Sequence, residues 1–280
     1  MKAVLVPVEM HDRLRSVLET ALLLARRFGS LLEGFALRPI MTEFVPVDMV
    51  GGLTWTQDDL VDPEEARRAR EAFEAFMHER EVPVFAEGHE GPVHRWFDAD
   101  SPGDAAVGEC GRVFDLTVVG RPISGQIAPR MSTLEAALFE SGRPILIAPP
   151  DPPRSLGDTV VVAWNGSTET ALTVALSMPF LQQAREVIVV TVGPQHMPEP
   201  GPTGEELARG LEGHGFSVSM RTAVGRQKPQ GESFLREAMA AGADLMLKGA
   251  YTQSRIRQMI FGGATRHIIM DSRIPVIMAR

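Results

Sequence analysis

Val160-Val161-Val162-Ala163-Trp164-Asn165 is an apolar run that ends on a polar residue, and Val4-Leu5-Val6-Pro7-Val8-Glu9 is its counterpart 156 residues earlier. Two more pairs follow in the same order. Asp115-Leu116-Thr117-Val118-Val119-Gly120 is echoed by Asp244-Leu245-Met246-Leu247-Lys248-Gly249 at an offset of 129, and Ser141-Gly142-Arg143-Pro144-Ile145-Leu146-Ile147-Ala148 by Ser272-Arg273-Ile274-Pro275-Val276-Ile277-Met278-Ala279 at an offset of 131. Ordered matches of this kind read as a duplication. The runs are continuously apolar, as is Val187 to Val192, which marks strands covered on both faces. Between them lie amphipathic segments: Leu14, Leu18, Leu22 and Ala25 recur at helical spacing, and Glu64 to Arg80 carries Phe73, Phe76 and Met77 on one face. Strand, helix, strand, helix predicts an α/β fold with two tandem copies of a parallel-sheet domain.

The fall in offset from 156 to 129 gives the first copy about 27 extra residues, assigned to Pro39 to Asp62, with Trp55 and the pair Gly51-Gly52 inside it. Four prolines in Pro149-Pro150-Asp151-Pro152-Pro153 forbid helix and set the boundary near residue 153. The expected domains are therefore residues 1–150, with the insertion at about 40–62, and residues 157–280. The apolar runs 145–148 and 276–279 are the candidate contact elements of an intrachain pseudo-dimer, and a homodimer stays open.

A chain of 280 residues with 44% hydrophobic and 23% charged residues and a mean hydropathy of −0.02 is an ordinary globular composition. Its net charge of −8 argues against nucleic acid or an anionic membrane as partner. The single cysteine, Cys110, excludes an intrachain disulfide and a multi-thiolate metal site and reads as a small residue of an apolar helix. No stretch reaches the roughly 18 apolar residues of a bilayer span. The amino terminus lacks the apolar segment of a secretory signal, so the expected location is cytoplasmic.

In a helix-covered parallel sheet, ligands sit beyond the carboxyl ends of the strands. There the second copy carries Gly249-Ala250-Tyr251-Thr252, nine residues, and then Gly262-Gly263-Ala264-Thr265 at the head of an apolar helix. Glycines let backbone amides approach a phosphate, and a helix N-terminus adds partial positive charge. A turn at Gly249 and a helix start at Gly262 account for the same residues without a ligand. Asn165 is either a hydrogen-bonding group for a ligand or a turn and cap before the helix at Thr168, and Ser167 reads as a cap. Thr265 can meet a phosphate oxygen or cap its own helix. Arg255, Arg257 and Arg266 surround the loop, and Trp164 reads as core in preference to a base-stacking ring.

This layout resembles the universal stress protein family, whose nucleotide-binding members carry a strand ending in Gly, two residues, Gly, nine residues, then Gly-Ser or Gly-Thr. Gly249 and Gly262 occupy the first and third glycine positions, whereas Thr252 replaces the second glycine and Gly263 the serine. Trp164-Asn165-Gly166-Ser167 and Ile274-Pro275-Val276-Ile277-Met278 extend the resemblance over nearly the whole chain. It implies a Rossmann-like, adenine nucleotide alpha hydrolase-like fold and a regulatory, non-catalytic stress protein. It further implies that ATP or another adenine nucleotide, with magnesium left open, binds the second domain at Asn165, Val192, Gly249, Thr252, Gly262, Gly263, Ala264 and Thr265, and that a protein partner reads the bound state. The family's usual aspartate is Asn165 in the second copy and Glu9 in the first. After Gly120 the first copy is two residues shorter and lacks the glycine pair, so its site is expected to be degenerate.

Two alternatives stand beside this reading: a protein-interaction module with decayed sites in both domains, and an enzyme. Against catalysis, His89 and His94 are five apart with Gly91 and Pro92 between them, which spoils a zinc helix, and no nucleophile elbow or Walker loop is present. Asp98, Asp100 and Asp104 read as a solvated turn and helix cap.

Overall fold

The computed structural model describes residues 1–37, 63–99, 103–126, 129–193, 201–223, 230–250 and 263–280. The insertion at 39–62 lies outside the described residues. The first half runs β1 (Ala3–Val8), α1 (Leu14–Phe28), β2 (Leu31–Ala36), α2 (Pro63–Glu79), β3 (Val93–Trp96), α3 (Ala105–Gly111), β4 (Leu116–Val119), α4 (Met131–Glu140) and β5 (Ile145–Ile147). The second repeats it with one short added helix: β6 (Thr159–Trp164), α5 (Thr168–Leu176), α6 (Met178–Leu181), β7 (Glu186–Val192), α7 (Gly204–Gly213), β8 (Val218–Ala223), α8 (Gln230–Ala240), β9 (Leu245–Leu247), α9 (Gly263–Asp271) and β10 (Val276–Met278).

All these strands join one sheet in the order β3-β2-β1-β4-β5-β10-β9-β6-β7-β8, the same five-strand order twice with the second reversed. Every pairing is parallel except the central one, where β10 meets β5 antiparallel with Val276 opposite Ile147 and Met278 opposite Ile145. The sheet thus changes sense at its middle, and each half keeps its own carboxyl edge.

The continuous apolar runs are explained by helices on both faces. Along β6, Val160, Val162 and Trp164 enter the core layer beneath α1, α2, α5, α6 and α7, while Val161 and Ala163 enter the layer beneath α3, α4, α8 and α9. The amphipathic readings hold: α1 buries Leu14, Leu18, Leu22 and Ala25, and α2 buries Phe73, Phe76 and Met77. Cys110 is half-buried on α3.

The proline-rich connection is held by α1. Ser16 Oγ donates to the Pro149 carbonyl at 2.7 Å, and Arg13 pairs with Asp151 at 3.0 Å. At the far end of α1, Arg27 donates to the carbonyls of Leu156, Gly157 and Gln183 and meets Asp158 at 2.8 Å.

The aspartates that open the repeated motif act as braces. Asp244 accepts from the backbone N–H groups of Gly157, Asp158 and Thr159 at 2.9–3.1 Å. Asp115 does the same for Lys2 and Ala3 at 2.5 and 3.2 Å. Each therefore fixes the start of the first strand of its half.

Candidate functional site

Because β6 lies between β9 and β7, the residues following these three strands emerge side by side at the carboxyl edge of the second half. Asn165 and Gly249 are among them, next to Val192, the last residue of β7. Ser167 caps α5, its Oγ accepting from Thr170 N at 3.2 Å. Asn165 Oδ1 accepts from Ser167 Oγ at 3.0 Å and from Thr170 Oγ1 at 2.5 Å, so its carbonyl serves the cap. Its amide N–H groups, two donors, have no partner among the described residues.

Gly249 packs on this same turn. A Cβ there would stand 2.3 Å from Thr170 N and 2.6 Å from Thr170 Oγ1, so the close seating of α5 on the end of β9 requires glycine. Val192 is 8% exposed and packs in the core, as its side chain suggests. Thr252 and Gly262, like Arg255 and Arg257, lie outside the described residues. Gly263, Ala264 and Thr265 form the first turn of α9: Gly263 is exposed with nothing within 4 Å of a Cβ, and Thr265 is buried. The early N–H groups of a helix lack intrahelical partners and carry its positive end. Arg266 is exposed one residue on. Trp164 is 3% exposed, its indole N–H donating to the Pro202 carbonyl at 2.9 Å, a core residue as read.

The sequence reading missed Lys248. Its ammonium is buried beside Gly249, donating to the Gly249 carbonyl at 3.1 Å, and burial pushes its pKa down to about 8 against the opposing charge of Glu169. The signal was available, a lysine inside an otherwise apolar strand run. Arg121 was also missed. It follows β4 of the first half, is 2% exposed, and donates to the carbonyls of Ile268 and Ile269 near the C-terminal end of α9 and of Ile274 in the turn beyond it. Burial lowers its pKa to about 9, with Asp271 opposing.

The carboxyl edge of the first half is filled by its own side chains. Glu9, at the position of Asn165, accepts from Arg130 Nε at 2.8 Å and from Arg130 N at 3.2 Å. Arg130 stands at the head of α4 and also meets Asp104 at 3.0 Å, which accepts from Thr133 Oγ1 at 2.9 Å. Asp104 occupies the N-cap of α3 yet makes no capping bond, so the cap expected of it is replaced by this cross-link. Burial raises the pKa of Glu9, and Arg130 only partly offsets the rise. Pro129 closes the space above Gly120, where a Cβ would lie 2.6 Å from its ring, and His11 borders it, its pKa lowered to about 4 by burial.

No helix among the described residues is long and apolar enough to cross a membrane. No family model matches the chain. A universal stress protein of Synechocystis sp. is 33% identical over 97 residues, 33% of this chain and 31% of that protein, so the match spans about a third of the relative's length. Among solved structures, a universal stress protein of Archaeoglobus fulgidus superposes with a TM-score of 0.71 at 16% identity, covering 99% of this chain and 96% of the other. A protein of unknown function from Pseudomonas aeruginosa gives 0.56 at 13% identity, covering 100% and 92%. The resemblance to universal stress proteins is thus one of sequence over a third of the chain and of fold over nearly all of it.

Proposed function

We propose that the chain is a tandem universal stress protein that binds ATP or another adenine nucleotide at the carboxyl edge of its second half and acts without catalysis, the bound state altering its contacts with a protein partner. The observation that carries this reading is the asymmetry of the two edges. In the first half an arginine held by Glu9 and Asp104 occupies the head of α4. In the second, the amide of Asn165 has no partner among the described residues, and Gly263 at the start of α9 is exposed. Donor N–H groups at a helix start suit a phosphate, and Lys248 adds buried positive charge behind Gly249. Magnesium would accompany the phosphates rather than bind a protein cage. A ligand of this kind works by its differential affinity for two conformations.

Calorimetric titration with ATP tests the proposal. Saturable binding is expected, weakened at least about tenfold by Gly263→Asp, which sets a negative charge at the phosphate end of α9. An acidic residue in the first turn favours the helix, and the position is open, so the fold is retained. Absence of heat and of thermal shift at millimolar ATP would sink the proposal. The interaction-module reading would then stand, favoured by the use of Asn165 Oδ1 as a cap and of Gly249 for helix packing.

A further inference from the structure

On the helix face opposite α8 and α9, a cavity of about 500 Å³ opens between α5 and α7. Trp164 forms its floor, Val174 and Met178 line one wall, and Leu207 and Leu211 the other. In the first half the equivalent seam, between α1 and α2, is filled. Phe76 lies there beneath the guanidinium groups of Arg15 and Arg80, Met77 is fully buried, and Arg15 pairs with Glu79 across the seam. In the second half the seam has small residues instead, Ala171 and Ala175 on α5 and Gly210 on α7. No large side chain of these helices closes it.

The two helices are also prevented from collapsing together. The indole N–H of Trp164 holds the Pro202 carbonyl at 2.9 Å, and a capping box of Thr203 and Glu206 fixes the start of α7 directly after it. On the other side, α6 anchors the end of α5 through the fully buried Phe180, which stacks edge-on against Phe28 of the first half. The hollow is a braced, preformed concavity of the size and apolar character of small-molecule sites.

We propose that this cavity binds an uncharged apolar small molecule, held between Val174 and Met178 on one wall and Leu207 and Leu211 on the other, with the edge of the buried Trp164 closing its base. The charge at the rim selects this chemistry. Glu206 is the acidic group in the lining, its carboxylate already committed to the Thr203 N–H, and among the described residues no lysine or arginine lines the cavity, so a nucleotide or a fatty-acid carboxylate is repelled. Apart from Glu206 and His214, whose ring stacks on Phe216, the described lining is apolar, so a charged ligand would lose more hydration than these two groups return. This site is separate from the carboxyl-edge cleft and does not depend on the nucleotide reading.

The test uses N-phenyl-1-naphthylamine, a neutral probe that fluoresces in apolar surroundings, with the full chain. One saturable site per chain is expected, with energy transfer from tryptophan that falls in Trp164→Phe, where Trp55 and Trp96 remain. Ala175→Phe and Gly210→Leu should each weaken binding at least tenfold by filling the hollow. Both positions are exposed, and Gly210 has nothing within 4 Å of a Cβ, so the fold accepts them. Leu172→Ala, on the same helix but outside the lining, should leave binding unchanged. Absence of saturable binding overturns the proposal. So does wild-type affinity in both filling variants, or displacement of the probe by ATP, which would place it in the other cleft.

Discussion

Asp244 holds three backbone N–H groups that open β6, and its removal leaves them without their acceptor. Asp244→Ala is expected to cost about 2 kcal/mol, the scale of hydrogen bonds to a charged acceptor, read as a shifted urea midpoint at pH 7. Asp115 gives the corresponding pH signature. Burial alone would raise its pKa, but the N–H groups of Lys2 and Ala3 and the terminal ammonium outweigh it and hold the carboxyl below its ordinary 3.8. A depressed acid contributes its stability above the ordinary value and loses it as pH falls through the folded one. The difference in urea midpoint between wild type and Asp115→Ala should therefore be full at pH 6 and shrink as pH falls below 3.8; a constant difference would assign the brace to shape alone. The sequence displayed both aspartates, as the first letters of a repeated motif. Their role was hidden because the partners of Asp244 lie 85–87 residues away and those of Asp115 112–113. The pairing of Glu9 with Arg130, 121 residues distant, was hidden for the same reason, although the loss of glycines after Gly120 had already marked that half as different.

At the level of elements, periodicity was a good guide because burial on two faces leaves a plain mark on composition. Strands β1, β6 and β7 and helices α1 and α2 follow directly from their apolar spacing. What periodicity could not show is how tightly helices approach. The open seam between α5 and α7 arises from alanines and a glycine, residues that look unremarkable one at a time. The start of α7 depends on its capping box, with Thr203 Oγ1 accepting from Glu206 N at 3.2 Å and Glu206 accepting from Thr203 N at 2.7 Å. Thr203→Ala should lower stability by about 1 kcal/mol. It should also raise hydrogen exchange selectively in the first turn of α7; protection unchanged there would mean that packing, not the cap, sets that end.

For the molecule as a whole, the central pair β5–β10 is the feature with the largest consequence. The apolar terminal runs identified these segments as contact elements, but neither the antiparallel sense nor the register was legible, since both depend on how two identical topologies meet. Residues 154–280 produced alone would expose the backbone edge of β10, and an unpaired apolar edge is a template for another strand. The fragment is expected to self-associate in light scattering. A stable monomer at micromolar concentration would show that the edge is protected without its partner. Arg121 ties the halves a second time. Replacing it with Met removes the buried donor to Ile269 and one of the two donors to Ile268 and Ile274, which keep Ser272, and should cost about 2 kcal/mol of stability.

The continuous sheet also bears on how such a chain can change over time. In a symmetric pair of identical subunits every substitution is written twice, so neither cleft can drift without the other. Here the two halves are encoded separately but share one backbone ladder through Ile145–Ile147 and Val276–Met278. One half was thus free to place its own arginine at the head of α4 without the same change being forced on the other. The covalent link that spares the chain an assembly step also released it from symmetry.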